Sequence, residues 1–238
     1  MPDVVTRFIC AVVFSLAATG ASAGPNADFA GPLRADIDAR VADARFAGSR
    51  HEYSNYGYIL LGRVIEVVSG RPYDEYVRDY VFAPSGMTST GNAPEDMHVA
   101  ALAVPYSRGR DGGALRSAED TLPYRGTSAG GGYTTGGDLL KFAAALQSNK
   151  LLPSAATERL LAGKVDTPFR GLRYAYGFED VQLPDGRHRV GHGGGAPGIN
   201  AVLSIYPDSG DVVVVLSNLD PPAAIDIDRS IGRALSPG

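Results

Sequence analysis

The stretch RHRVGHGGGAPGINAVLSIYPDSGDVVVVLSN, residues 187–218, decides the architecture of this chain. Its segments 187–192, 199–206 and 212–217 are short, rich in β-branched residues and bounded by turn formers, which is the composition of strands. Pro207-Asp208-Ser209-Gly210 supplies a turn between the last two. A further strand is expected just upstream over 174–183, closed by the turn Pro184-Asp185-Gly186. Strands joined by such short turns run antiparallel. Residues from Pro221 onward read as a closing helix.

Upstream of this run the period changes. Leu60, Val64, Val67 and Val68 fall on one face of a helix that follows Ser54-Asn55 and stops at Ser69-Gly70. Pro72 then opens another helix, with Tyr73, Tyr76, Val77, Tyr80 and Val81 at helical spacing. Leu33, Ile37, Val41 and Ala42 predict a short amphipathic helix over 31–46. Residues 84–134 are turn-rich, with a possible strand over 99–106 and a turn at Arg110-Asp111-Gly112-Gly113. The segment from Thr135 to Asp138 resembles a capping arrangement ahead of Leu139, Phe142, Ala143 and Leu146, and 153–161 predict one more helix. Helices first and antiparallel strands later point to an α+β fold rather than a doubly wound one.

The chain has 238 residues, enough for one well-packed domain. Residues 1–23 read as an export signal. Arg7 is the basic element, Phe8 to Thr19 a short apolar core, and Ala21-Ser22-Ala23 a small-x-small cleavage site. The apolar run is short for a membrane span. A single incomplete domain over 24–238 in a periplasmic or secreted compartment is therefore expected, with no stable membrane span after signal removal. Cys10, the single cysteine, lies inside the signal, which leaves no disulfide and no thiol chemistry in the mature part. A net charge of −4 without a Lys/Arg cluster argues against a nucleic-acid partner. His51, His98, His188 and His192 are scattered, without metal-ligand spacing.

Three separated segments carry more specific information. The first is Tyr53-Ser54-Asn55, followed by Tyr-Gly-Tyr-Ile-Leu-Leu-Gly and later Val-Ser-Gly. The second is Thr127-Ser128-Ala129-Gly130-Gly131-Gly132, leading into Asp138-Leu139-Leu140. The third is Gly191-His192-Gly193-Gly194-Gly195 with Pro197-Gly198, Pro207-Asp208-Ser209-Gly210 and Leu216-Ser217-Asn218. Taken singly, Tyr53 reads as an aromatic at a helix start capped by Ser54, and His192 as a turn residue. In this order and at these separations the set resembles the β-lactamase-related serine hydrolases: class C β-lactamases, D-Ala-D-Ala peptidases and some esterases. The resemblance runs from about Gly48 nearly to the end of the chain.

What the resemblance implies is acyl transfer on a β-lactam, D-amino-acid peptide or ester, in a β-lactamase/transpeptidase-like fold, with a small molecule or peptide as substrate partner and no cofactor. Tyr53 matches the family's proton-transfer tyrosine and Asn55 its orienting asparagine. His192-Gly193-Gly194 matches the triplet on the opposite wall. His192 would hydrogen-bond or carry charge there, Gly194 would let a substrate backbone approach, and Gly195 could offer an oxyanion N–H. Ser128, in a loop shaping the site, reads as structural.

The family's nucleophile motif, Ser-x-x-Lys, is not found. The three lysines, Lys141, Lys150 and Lys164, are preceded three positions earlier by Asp138, Gln147 and Leu161. Only 29 residues separate the expected cleavage site from Tyr53. The expectation is an internal deletion joining two pieces near 46–48, a domain with an apolar hollow where the nucleophile helix sits in relatives, and a chain that is inactive or very weak. A non-catalytic binding protein for cell-wall peptides or esters, or a remnant, is the alternative. The oligomeric state is not legible. A different enzyme class is suggested by Gly126-Thr127-Ser128-Ala129-Gly130, which fits the nucleophile elbow of α/β-hydrolases, and by His192-Gly193-Gly194-Gly195. It fails on context: residues 119–125 are too polar for the strand before an elbow, and the HGGG element follows the serine instead of preceding it.

Overall fold

The computed structural model describes residues 51–94, 96–109, 112–121 and 126–235. The expected export signal, the helix over 31–46 and the junction near 46–48 lie outside these residues.

The first described helix, α1 (Asn55–Ser69), starts where its sequence dictates. The Ser54 hydroxyl accepts the Gly57 N–H at 3.1 Å, satisfying one of the open amides of the first turn. Gly70 ends it in the left-handed region at φ +69°, donating its N–H to the Glu66 carbonyl. The helix expected from Pro72 begins as α2 (Tyr73–Val77) and widens into a π turn over Arg78–Phe82. It recovers as α3 (Ala83–Ser85), which ends at Gly86. The side-chain period that places Tyr73, Tyr76, Val77 and Tyr80 does not distinguish an α turn from a π turn, so this widening was not legible.

The expected strand over 99–106 is not formed. Its last residue alone enters β1 (Tyr106–Ser107), which pairs antiparallel with β2 (Arg116–Ser117) in a separate two-stranded hairpin. The turn expected at 110–113 lies partly outside the described residues. Two helices follow, α4 (Gly136–Gln147) and α5 (Ser154–Leu161).

The main sheet has six antiparallel strands in sequence order. These are β3 (Val165–Asp166), β4 (Leu172–Tyr174), β5 (Glu179–Gln182), β6 (His188–Ala196), β7 (Ile199–Tyr206) and β8 (Asp211–Ser217). The single strand expected over 174–183 is thus two. Ala175 donates its N–H to the Phe178 carbonyl at 2.7 Å, and Gly177, at φ +81°, turns the chain between them. The strand expected over 187–192 continues through its glycines to Ala196, held by β7 along its whole upper half. The closing helix is α6 (Ala223–Ala234). The α+β expectation stands, with helices ahead of an antiparallel sheet.

Alternation along β6–β8 sorts side chains onto two faces. Val202, Tyr206, Val213 and Val215 pack against Ala224 of α6. Val190 and Ile205 pack on the opposite face against Ala143 of α4, with Leu161 of α5 beside them. The sheet is therefore a layer between α6 and the helical region.

Asp138 fastens that helical region. The Thr135 hydroxyl caps α4 by accepting the Asp138 N–H at 3.2 Å. The buried Asp138 carboxylate accepts from the Ser89 N–H at 2.7 Å, the Thr90 hydroxyl at 2.9 Å and Lys141 Nζ at 2.9 Å. Burial pushes its pKa up, but the Lys141, Ser89 and Thr90 hydrogen bonds outweigh this and hold it below the ordinary aspartate value. A lowered folded-state pKa means that the stabilisation is complete above about pH 4 and is lost as pH falls through the folded value. Urea midpoints measured between pH 7 and pH 2 should therefore drop more steeply at the acid end in the wild type than in Asp138→Asn, and the variant should be the less stable at pH 7.

Candidate active site

β6 has an unusual edge. β5 pairs with it only from His188 to Gly191, whereas β7 pairs with it from Val190 to Ala196. From His192 to Ala196, among the described residues, one edge of β6 is without a strand partner. Alternate N–H and C=O groups of such an edge point outward, unpaired, which is the arrangement that accepts an extended peptide.

The three central glycines of this segment differ in their reasons. A side chain at Gly193 would come within 3.4 Å of the Ala201 carbonyl, and one at Gly195 would meet Pro221 Cγ at 2.5 Å. Those two positions face α6 and its approach, where backbone and loop leave little room. Gly194 faces the other way, toward the side occupied by Val190 and His192, and a Cβ there would meet nothing within 4 Å. Its surroundings in the described chain leave open space.

With no side chains at 193–195, packing alone cannot fix the strand. Asn200 does so instead. Its amide is 1% exposed; Nδ2 donates to the Gly194 carbonyl at 2.8 Å, and Oδ1 accepts the N–H groups of Ala224 at 2.8 Å and Ile225 at 3.3 Å. One side chain thus ties the glycine strand to the first turn of α6 and satisfies two of its open amides. At the end of the strand Gly198, at φ +71°, donates its N–H to Asp220 Oδ1 at 2.8 Å.

Next to the open edge stand five rings. His192 Nε2 and the Tyr174 hydroxyl are 3.0 Å apart, and the Tyr174 and Tyr58 hydroxyls 3.3 Å apart. The Tyr53 ring lies edge-on to Tyr174 at 6.1 Å and tilted to His192 at 6.2 Å. His51 packs on Tyr174 at 5.2 Å, with its Nε2 buried and unpartnered among the described residues. Burial drives the Tyr174 phenol pKa far upward, helped by its bond to Tyr58, so Tyr174 is a protonated phenol at any physiological pH. Tyr53 is also shifted upward, by burial first and then by the negative potential of Tyr58 and Glu179.

The structure therefore brings Tyr53 and His192 together beside Gly194. Asn55, at the start of α1, is exposed, and its side chain makes no hydrogen bond among the described residues. Gly195 lies in the open segment of β6. Tyr58, Tyr174, Asn200 and Asp220 were missed at the sequence level. Each is one polar residue without a local signature, in a helix, a strand or, for Asp220, a loop, and the partners that give it meaning come only with the fold. Ser128 sits against α1, so close that a Cβ on Gly62 would fall 2.2 Å from its Oγ. Gly126–Gly130 is a loop with a Thr127–Gly130 bridge, and His192–Gly195 lies inside a strand, so the elbow reading has no structural counterpart.

The Beta-lactamase family model matches residues 16–236. The chain belongs to the β-lactamase family. The sheet with its flanking helices is similar to the penicillin-binding protein of Bacillus halodurans, at TM-score 0.74 and 34% identity over 79% of this chain and 57% of that one. A D-stereospecific amidohydrolase from Streptomyces is similar at TM-score 0.63 and 25% identity, over 72% of this chain and 51% of that one. By sequence the chain is 30% identical over 179 residues to penicillin-binding protein 4 of Amycolatopsis lactamdurans, covering 70% of this chain and 46% of that protein. The chain spans less than half the length of that relative. The expected β-lactamase/transpeptidase-like fold is thereby established.

Asn200→Ala should be among the most destabilising single changes in the β-lactamase-like sheet. It removes three hydrogen bonds and takes the partner from the Gly194 carbonyl and from two amides at the start of α6, a loss on the order of 2–4 kcal/mol in urea unfolding.

Proposed function

We propose that this chain supplies the tyrosine wall and the glycine strand of an acyl-transfer site for a β-lactam, D-amino-acid peptide or ester, and that these 238 residues bind such a group without forming an acyl-enzyme. The observation that carries the reading is the unpaired edge of β6 from His192 to Ala196, beside the Tyr53 ring. A substrate backbone adds to this edge as a short strand. Gly194 leaves room for it, the Gly195 N–H donates to the acyl oxygen, and Asn55 orients the acyl side chain. His192 forms the wall, with its ring held by Tyr174.

Two features argue against turnover. No Ser-x-x-Lys occurs in the sequence, so no serine is paired with a lysine base one helical turn away. Tyr53, which would carry the proton between nucleophile and leaving group, has surroundings that favour the neutral phenol. A proton acceptor needs the opposite: a cation nearby to stabilise the phenolate. Lys141 is held by Asp138 and the Gly86 carbonyl, and Lys164 stands over the Tyr176 ring. Neither is spent near Tyr53.

The family membership and the names of the relatives support the substrate class: penicillin-binding proteins and a D-stereospecific amidohydrolase. An exported location, periplasmic or secreted, accords with the leader expected over 1–23. No described helix is long and apolar enough to cross a membrane. The test is intact-mass spectrometry of the folded chain after incubation with a fluorescent penicillin. An unchanged mass is the expected result. A stoichiometric adduct would overturn the non-catalytic reading, and peptide mapping would then name the serine, with Ser128 the first to check.

A further inference from the structure

The β1–β2 hairpin is fastened to the end of the glycine strand. Asp220 accepts the Gly198 N–H at 2.8 Å with one oxygen, and the Arg108 N–H at 2.9 Å and the Ser107 hydroxyl at 3.1 Å with the other. Asn218 adds a bond from its side chain to the Val104 carbonyl at 2.9 Å and accepts the Tyr106 N–H at 2.9 Å. Those donors hold Asp220 ionised and below the ordinary aspartate pKa: first the Gly198 and Arg108 amides, then Ser107.

Between hairpin and strand end lies a cleft of ≈ 340 Å³, whose walls include Arg108, Arg116, Ser107, Ser117, Asp120 and Pro197. This is at the lower end of the size range of small-ligand sites. Pro197 directly follows β6, so the cleft continues the line of the open edge beyond Ala196.

The charges in this cleft are unequally satisfied. Arg108 donates to the Gly113 carbonyl at 3.0 Å. The exposed Arg116 side chain, opposite Ser107 in the hairpin, has no hydrogen bond or ion pair among the described residues, although the chain as a whole carries a net charge of −4. Asp220, which anchors the hairpin, is already held by three donors. A guanidinium unpaired among the described residues in a concave site, with a second arginine in the same walls, is suited to a carboxylate, which it can hold through two parallel bonds. The Ser107 and Ser117 hydroxyls are already given to Asp220 and Glu119. Asp120 in the same wall and Glu119 beside it oppose an anion and limit how tightly it is held.

We infer that this cleft is an anion subsite. The substituent projecting from the substrate past Ala196 ends in a carboxylate, and Arg116 is the residue that selects it. This deepens the function proposed above and rests on it for the placement of the substrate, while the anion site itself rests on the cleft alone.

Glutarate, a short dicarboxylate, is the probe, titrated into the ¹⁵N-labelled full chain with amide and arginine side-chain resonances followed. Saturable shifts are expected at the Gly113 and Ala114 amides and at Arg116 Nε. Arg116→Gln should weaken the titration about tenfold or more, as loss of a charge-assisted pair does. Asp120→Asn should strengthen it by removing the like charge. Absence of saturable shifts at these groups, or the same titration in Arg116→Gln, would overturn the inference. Unchanged Gly194 and Asn200 resonances in both variants would show that the fold is intact. Because the readout sits in the hairpin and not on β6, failure here is distinguishable from failure of the glycine strand to take substrate.

Discussion

The amide of Asn200 is the constraint on which the candidate site depends. A run of glycines gives a backbone unusual freedom, and its ordering costs more entropy than any other residue type would. Side-chain packing cannot offset that cost where there are no side chains. Asn200 reaches from β7 to fix the Gly194 carbonyl, and with its other end it caps the first turn of α6. The strand is thereby pinned from behind, through the face turned toward α6, and the opposite face at Gly194 stays clear. Asp220 repeats the device one turn further along, at Gly198. Two polar side chains therefore do for this strand what leucines and valines do for β7 and β8.

Charge is distributed with the same asymmetry. Arg189 binds Glu179 at 3.1 Å and the Ser204 hydroxyl at 3.1 Å, on the face turned toward α6. On the face where Tyr53 and His192 meet, the groups are aromatic rings linked by hydroxyls, with the Tyr58–Tyr174–His192 chain at its centre. Such an array is suited to orienting and hydrogen-bonding a ligand. Among the described residues the influences on the Tyr53 phenol all raise its pKa, which does not make it a strong base. The edge, the open glycine and the ring wall are in place in the described residues, and no Ser-x-x-Lys occurs in the sequence, which is the ground for the proposed separation of binding from chemistry.

Much of this was legible before the fold was known, and the reasons for what was not are physical. The antiparallel run, the helix starting at Ser54 and the capped helix before Leu139 follow from periodicity and turn chemistry, which act locally. Tyr53 and His192 were found because ordered motifs tie them to a family, although 139 positions separate them in the sequence. Tyr174 was hidden inside a segment read as one strand; only the turn at Gly177 brings it under His192. Asn200 and Asp220 carry no local signature, since an asparagine in a strand and an aspartate in a loop acquire partners only through register. The free edge of β6 was equally invisible, because it results from where β5 ends. Gly194 and Gly195 looked alike in the sequence and turned out to face opposite sides of the sheet.

The claim at the centre of this account is that the unpaired edge of β6 accepts a D-amino-acid backbone. The most direct measurement is a titration of the ¹⁵N-labelled chain with N-acetyl-D-alanyl-D-alanine, following the backbone amides of β6. The account predicts saturable, reversible shifts concentrated between His192 and Ala196, with the residues of β6 already paired to β5 little affected. Amides from 192 to 196 that stay unmoved at saturating peptide, in a chain whose spectrum shows it folded, would contradict it.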